Sequence, residues 1–323
     1  MQSAEGALTK RIDPLLCDLE LPLTATFYPA GFPLRIATNS PHVLQAAGES
    51  WEPFPRLFET PPLDFRVVVE PGGNVTAEPR VRKQAHLLHY VSDTRNFAAG
   101  DCLTLSATFY LSEASVADHV RLRWFYLEAM AYMLLTQRYV VSLHAGCVAR
   151  NGEGILICGK SASGKSTLSF ACARAGFTFL SDDCTWLPLD SEASEAIGKP
   201  HMARFRPDAV RHFPELAGHL ASLRPNGKRS IEVPTSLFPG VHTASRCPIG
   251  SLIFLDRESE GRPRLDRMHP EEAIPLLLAD LPSYGPEVND AHEKAIHRLA
   301  ALPAWRLRYR TLEDAIRLLS ALR

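Results

Sequence analysis

From Leu21 to about Leu111 the apolar positions come in short β-forming runs, such as Leu34-Arg35-Ile36-Ala37 and Phe65-Arg66-Val67-Val68-Val69, interrupted by turn formers such as Pro71-Gly72-Gly73. Between those two runs, Ser40 precedes Pro41 and the residues His42-Val43-Leu44-Gln45-Ala46-Ala47. A polar cap residue followed by a proline, whose fixed φ suits the first helical turn, predicts one short helix there. Residues 1–112 therefore read as an N-terminal α+β accessory domain.

From Val116 to Arg138 apolar residues including Val120, Leu122, Trp124, Leu127, Ala131 and Leu134 predict a long helix packed in the interior or between domains. Beyond it the pattern alternates. Tyr139 to Leu143 and Gly154 to Cys158 read as strands, Lys165 to Ala175 as a helix, and Phe177 to Leu180 and Thr185 to Leu189 as strands again. Strand and helix in alternation predict an α/β nucleotide-binding domain over residues 113–323, with a parallel or mixed central sheet. Asp190 to Pro248, rich in Pro, Gly and basic residues, gives no clear period and reads as loops. After it come a strand at Ile249 to Leu255, helices near Glu271 to Ala279 and Asp290 to Leu299, a strand at Trp305 to Tyr309, and a last helix. Thr311, with Asp314 three residues on, marks the start of that helix.

The chain has 323 residues, enough for two domains, and 46% of them are hydrophobic, enough for buried cores. Its 35 Lys+Arg balance 36 Asp+Glu, so no global field attracts nucleic acid or an anionic membrane, and binding must come from a local site. The seven cysteines form no CxxC pair and are odd in number, which argues against a disulfide framework and a structural zinc site. Charged residues early in the chain interrupt any signal-peptide core, and no apolar run is long enough to span a membrane. A soluble protein in a reducing cytoplasm is expected.

The sharpest chemical signal is Gly159-Lys160-Ser161-Ala162-Ser163-Gly164-Lys165-Ser166, a Walker A pattern that follows a predicted strand and opens a predicted helix at Thr167. Backbone N–H groups of such a loop and of the helix start converge on phosphate, and glycine permits the close approach. Residues 159–167 are thus expected to bind the phosphates of a nucleoside triphosphate, ATP with magnesium. Lys165 would reach the terminal phosphates and Ser166 would ligate the metal.

Asp182 and Asp183 follow the strand after that helix, where α/β folds place reactive groups. One would hold magnesium and the other accept a proton from an attacking hydroxyl; adjacent side chains on extended backbone point opposite ways, so the two suit different tasks. Asp182 is the expected metal ligand with Ser166, although the sequence does not decide between the two acids. His144 ends the strand before the loop's own strand and is placed to approach the same phosphates.

Together, His144 near Gly146, Gly159 to Ser166, Ala175-Gly176 and Ser181-Asp182-Asp183 resemble the catalytic domain of bacterial HPr kinase/phosphorylase, with Ser181 where the family has alanine. The resemblance covers roughly residues 139–270. It implies the HPr kinase/PEP carboxykinase-like P-loop fold and ATP-dependent phosphorylation of a serine on a protein or peptide. Lys165 would sit on the phosphates, Ser166 on magnesium, His144 would assist, and one of Asp182 and Asp183 would be the base. It also implies an active-site role for Arg267, from the strand and Asp-Arg element at Leu265-Asp266-Arg267-Met268. The family's glycine-rich signature with an acidic metal ligand is not recognisable in residues 223–233, where Glu232 is the substitute, and its dephosphorylation segment is missing. A divergent serine kinase without phosphorylase activity is therefore expected. HPr kinases assemble as hexamers, which makes a homo-oligomer an expectation too.

Two other readings fit the same loop: a nucleotide-dependent switch that slowly hydrolyses triphosphate, and a kinase of a small hydroxyl compound. Arg204, Arg206, Arg211, Lys228 and Arg229 are candidates for orienting phosphates or acceptor, because basic groups neutralise charge during phosphoryl transfer.

Overall fold

The β-rich texture before residue 112 corresponds to a seven-stranded sheet in the computed structural model, which describes residues 19–74, 78–191, 194–223, 229–257 and 261–322. Its strands are β1 (Leu23–Phe27), β2 (Leu34–Thr38), β3 (Leu63–Glu70), β4 (Arg80–Gln84), β5 (Leu87–Val91), β6 (Phe97–Asp101) and β7 (Ser106–Ser112), in the order β1-β2-β3-β7-β6-β5-β4. β3 pairs in parallel with both β2 and β7, and the remaining pairs are antiparallel. Helix α1 (Pro41–Trp51) connects β2 to β3 and runs a turn beyond the predicted stretch, because Ser50 and Trp51 are still buried.

The single helix expected from Val116 to Arg138 is broken into α2 (Glu113–Ala117), α3 (His119–Leu122), a π-helical turn at Arg123–Leu127, and α4 (Glu128–Arg138). Asp118 causes the first break, since its carboxylate accepts from the Arg121 amide at 3.0 Å and draws its own backbone out of the helix. α4 lies between two sheets. Met130 packs into the core of the first one with Trp51, Phe65, Phe109 and Tyr126, while Tyr132 stacks at 4.8 Å on Trp186 of the second. Each such fully buried large side chain contributes about 2–3 kcal/mol of transfer free energy, so this helix couples the two halves of the molecule.

The second sheet holds β8 (Val140–Leu143), β9 (Gly146–Arg150), β10 (Glu153–Cys158), β11 (Thr178–Ser181), β12 (Thr185–Pro188) and β13 (Glu195–Ile197). β14 (Met202–Phe205), β15 (Ala221–Leu223) and β16 (Arg229–Pro234) form a separate three-stranded sheet. The second sheet is completed by β17 (His242–Thr243), β18 (Arg246–Arg257), β19 (Arg264–Met268) and β20 (Ala304–Tyr309). It is mixed: β10, β18 and β20 run parallel, whereas β9 is antiparallel to both β10 and β11. β9 lay outside the expected elements. It forms a hairpin with β10 through Asn151 (φ 54°) and Gly152 (φ 85°), the left-handed pair that a tight two-residue turn requires.

Helix α5 (Lys165–Arg174) follows β10, and α6 (Pro270–Leu278), α7 (Pro286–Ala300) and α8 (Leu312–Ser320) follow later strands. Thr311 caps α8 by accepting from the Asp314 amide at 3.2 Å, as its spacing predicted. The stretch from Asp190 to Pro248, unreadable by period, contains the three-stranded sheet and several 3-10 turns; among its residues Lys228 lies outside the described ones. Among the described residues no helix is long and apolar enough to cross a membrane, and the six described cysteines are free, Cys17 lying outside them.

Candidate functional site

β10 ends at Cys158 and α5 begins at Lys165, so the glycine-rich loop joins a buried strand of the sheet to a helix packed on it. Gly164 has φ 100°, a left-handed conformation costly to a residue with a Cβ, and it turns the chain into α5. A Cβ on Gly159 would lie 2.8 Å from Ser163 Oγ, closer than atoms pack. The loop is drawn together further by the Ser163 amide, which donates to the Lys160 carbonyl at 3.1 Å. Lys165 Nζ donates to the carbonyls of Gly159 (2.6 Å) and Lys160 (3.1 Å), which fixes the ammonium over the loop backbone.

The helix that carries this loop is anchored by Phe170. Its ring meets Phe205, Phe213 and Phe238 edge-on at 4.9, 5.0 and 4.8 Å, tying α5 to the small sheet and its 3-10 turns. On its other side α5 approaches β9 so closely that a Cβ on Gly146 would stand 2.2 Å from Ser169 Oγ. The glycine two residues after His144 is thus a packing requirement.

The two aspartates take opposite directions, as extended backbone dictates. Asp183 lines the cavity and is 44% exposed at its side chain, with Oδ1 3.5 Å from His144 Nε2. Asp182 is 5% exposed and turned inward, where Oδ2 accepts from the Arg204 amide at 2.9 Å. The turn that presents the pair is held by Ser181 Oγ against Thr185 Oγ1 (2.6 Å), which in turn donates to the Ala145 carbonyl (2.9 Å) beside His144. Ser166 Oγ donates to the Asp182 carbonyl at 3.1 Å, so the first turn of α5 and the aspartate turn are in direct contact. Burial, with the charge of Asp183 adding to it, pushes the Asp182 carboxyl up to about 7 against the pull of Arg204.

Behind Asp182 lies a half-buried charge network that the sequence did not reveal. Arg204 Nε donates to Glu232 Oε1 at 2.5 Å, Lys199 Nζ stands 3.6 Å from Glu128 Oε1, and Ser50 Oγ donates to the same Glu128 oxygen at 2.7 Å. The network runs from α1 and α4 to the aspartate turn. Burial opposes the charge of Glu128, yet Lys199 and Arg204 hold its pKa below the ordinary value; burial lowers that of Lys199. Glu232, expected as a substitute metal ligand, spends its carboxylate on Arg204.

A cavity of about 860 Å³ gathers most of the expected residues: Ser161, Ala162, Gly164, Lys165, Ser166, Thr167, Asp183 and His144. Asp182 is not among its lining residues. Neither is Arg267, whose guanidinium lies over the Trp305 ring, 4.8 Å from its centroid, on β19. All four described basic candidates from the 190–248 region, Arg204, Arg206, Arg211 and Arg229, line the cavity. The sequence did not point to Arg257, Tyr309 and Arg310, which also line the cavity, Tyr309 with its hydroxyl beside Gly164 of the loop. Their signal was their place at the carboxyl ends of the parallel strands β18 and β20. A second cavity of about 910 Å³ is lined by Phe27, Leu44, Trp51 and Phe54 beside β1 and α1, and it holds neither the loop nor the aspartates.

For magnesium, the donors on the cavity wall are the Ser166 hydroxyl and the Asp183 carboxylate. These are hard oxygen ligands of the kind that share a magnesium ion with substrate phosphates and water, so the residues fit the ion. Among the described residues there is no cluster of three or more His, Cys, Asp or Glu that would hold a metal by protein ligands alone.

No protein-family model matches the chain, and no curated protein matches its sequence. Among solved structures the chain is similar to the HPr(Ser) kinase/phosphatase from Coxiella burnetii, with a TM-score of 0.33 and 12% sequence identity over 55% of this chain and 93% of that one. The likeness is distant.

Proposed function

We propose that the protein is an ATP- and magnesium-dependent kinase that transfers the γ-phosphate to a serine hydroxyl of a protein or peptide in the cytoplasm, without phosphorylase activity. The observation that carries this reading is the joint placement of Lys165, Ser166, Asp183 and His144 around one cavity at the mouth of the β10–α5 loop. The amides of residues 159–167 and the Lys165 ammonium bind the phosphates. Ser166 would hold magnesium together with phosphate oxygens, and the ion would supply charge neutralisation on the β- and γ-phosphates.

Asp183 is the carboxylate that faces the acceptor. It takes the proton of the attacking hydroxyl as that oxygen bonds to the γ-phosphorus and the bond from phosphorus to the bridging β-γ oxygen breaks, releasing ADP. His144, 3.5 Å away, orients Asp183. Asp182 is reassigned from metal ligand to positioning residue, because its carboxylate is committed to the Arg204 amide. Residues 1–112 serve as an accessory unit, linked to the aspartate turn through Ser50, Glu128 and the network behind Asp182.

Incubation with labelled ATP, magnesium and seryl peptides tests the reading. Phosphoserine product lost in Asp183→Asn supports it. Label appearing only as inorganic phosphate contradicts it and favours a nucleotide switch, and label on a small hydroxyl compound but on no peptide contradicts the acceptor class.

A further inference from the structure

The chain as a whole is nearly neutral, with a formal net charge of −1, yet the cavity is lined by seven Lys and Arg side chains against three carboxylates. Low-dielectric walls around charge of one sign focus the field into the cavity, so it selects anions. A triphosphate partly neutralised by magnesium accounts for Lys165 and for part of the remainder.

The surplus is not spread evenly. The loop emerges from β10, with β11 and its aspartate turn on one side and β18 and β20 on the other. Arg257 ends β18 and Arg310 follows β20. Arg206, Arg211 and Arg229 come from the small sheet and the turn after it, and the Arg204 amide pins that sheet to Asp182. These three thus enter the cavity that holds Asp183 from one unit, the small sheet and its turn. All three are exposed, and their commitments are slight: Arg211 pairs with Asp208 at 2.8 Å, and Arg229 donates to the Ala221 carbonyl at 3.2 Å. Among the described residues, neither Arg206 nor Arg229 forms an ion pair.

Resting on the kinase reading above, we propose that the acceptor is an acidic peptide segment, a serine flanked by Asp or Glu, whose carboxylates are held by Arg206, Arg211 and Arg229. Planar guanidinium groups bind carboxylates in pairs of parallel hydrogen bonds, so they fix register as well as supply charge. A nucleic-acid acceptor is disfavoured because the basic excess lines a cavity in a neutral molecule instead of running across its surface.

The test compares fluorescent peptides that differ only in the residues flanking one serine (Asp/Glu, Asn/Gln or Lys), together with an oligonucleotide bearing a 5′-hydroxyl. Binding is read by anisotropy and transfer by phosphorylated product, with the full-length protein and its Arg206→Ala/Arg229→Ala variant. The acidic peptide is expected to bind at least about tenfold tighter than the neutral one, and the double variant to lose that preference while its nucleotide affinity is kept. Equal or better use of the neutral or basic peptide overturns the acidic acceptor and leaves the kinase reading in place, as does a preference that survives in the double variant. Transfer to the oligonucleotide in place of the peptides overturns the peptide class. Release of inorganic phosphate with no labelled acceptor overturns the kinase reading itself.

Discussion

Arg204 holds Asp182 by its backbone and Glu232 by its side chain: the amide donates to Asp182 Oδ2 at 2.9 Å while Nε donates to Glu232 Oε1 at 2.5 Å. One residue thus locks the small sheet to the aspartate turn and neutralises the half-buried carboxylate of Glu232. Removing Glu232 would leave Arg204 with only the more distant charges of Glu128 and Asp182 to compensate it.

Glu232→Ala is therefore expected to destabilise the fold by about 1.5–3 kcal/mol, the worth of a charge-assisted hydrogen bond, read from urea unfolding. The double variant Arg204→Met/Glu232→Leu is expected to lose less than the sum of the two single variants, because no lone charge remains. Strict additivity would show that the pair does not act as a unit.

The buried Asp182 predicts a pH dependence of stability. Its folded-state pKa is raised from 3.8 to about 7, so the native state binds more protons than the unfolded chain between those values. The sign follows: this group favours the fold at low pH, and stability falls as pH rises from about 4 to 7, by up to a few kcal/mol, with the whole penalty present above that. Asp182→Asn, whose amide oxygen can still accept from Arg204, is expected to flatten that slope. Unfolding free energies measured across this window that fall equally in both proteins would refute the assignment.

The ends of strands β10 and β11, the helix α5 between them and the order of the second half were legible because periodicity, a glycine-lysine-serine loop and an acid pair coincide there. β9 was not legible as an element although Asn151-Gly152 signals its hairpin; its five residues lie within one apolar stretch where short strands merge. The charge network behind Asp182 had no sequence signal at all. Ser50, Glu128, the Lys199–Arg204 stretch and Glu232 come from four separate parts of the chain, and only the packing of α4 between the sheets brings them together. For the same reason the inward turn of Asp182 and the stacking of Arg267 on Trp305 lay beyond the resemblance that had assigned them roles.

Backbone geometry gives two further expectations. Ala162 sits in the loop at φ 70°, a left-handed conformation that costs a residue with a Cβ about 1 kcal/mol, so Ala162→Gly is expected to leave stability unchanged or raise it by about that amount in denaturant unfolding. Gly198→Ala does the reverse. Its added Cβ would lie 2.1 Å from the Leu180 carbonyl oxygen, and relieving that clash displaces the strand leading into the aspartates, at a cost of about 1–3 kcal/mol.

At the site itself, Asp183→Asn is expected to lower kcat by about 10²–10⁴-fold with nucleotide affinity retained, since the proton acceptor is lost and the phosphate contacts are not. His144→Gln is expected to have the smaller effect of a residue that orients the base. Single-turnover transfer to a seryl peptide separates the two, and an unchanged rate in Asp183→Asn would remove it from the chemistry.

The central claim, that residues 159–167 bind a nucleoside triphosphate, is tested most directly by calorimetric titration of the protein and of Lys165→Ala with ATP and magnesium. The charge-assisted bonds of one ammonium are worth about 1.5–3 kcal/mol, so the variant should bind about 10–100-fold more weakly while its fold, read by circular dichroism, is intact. Equal affinity in the two proteins, or no binding by the unaltered one, would contradict the account.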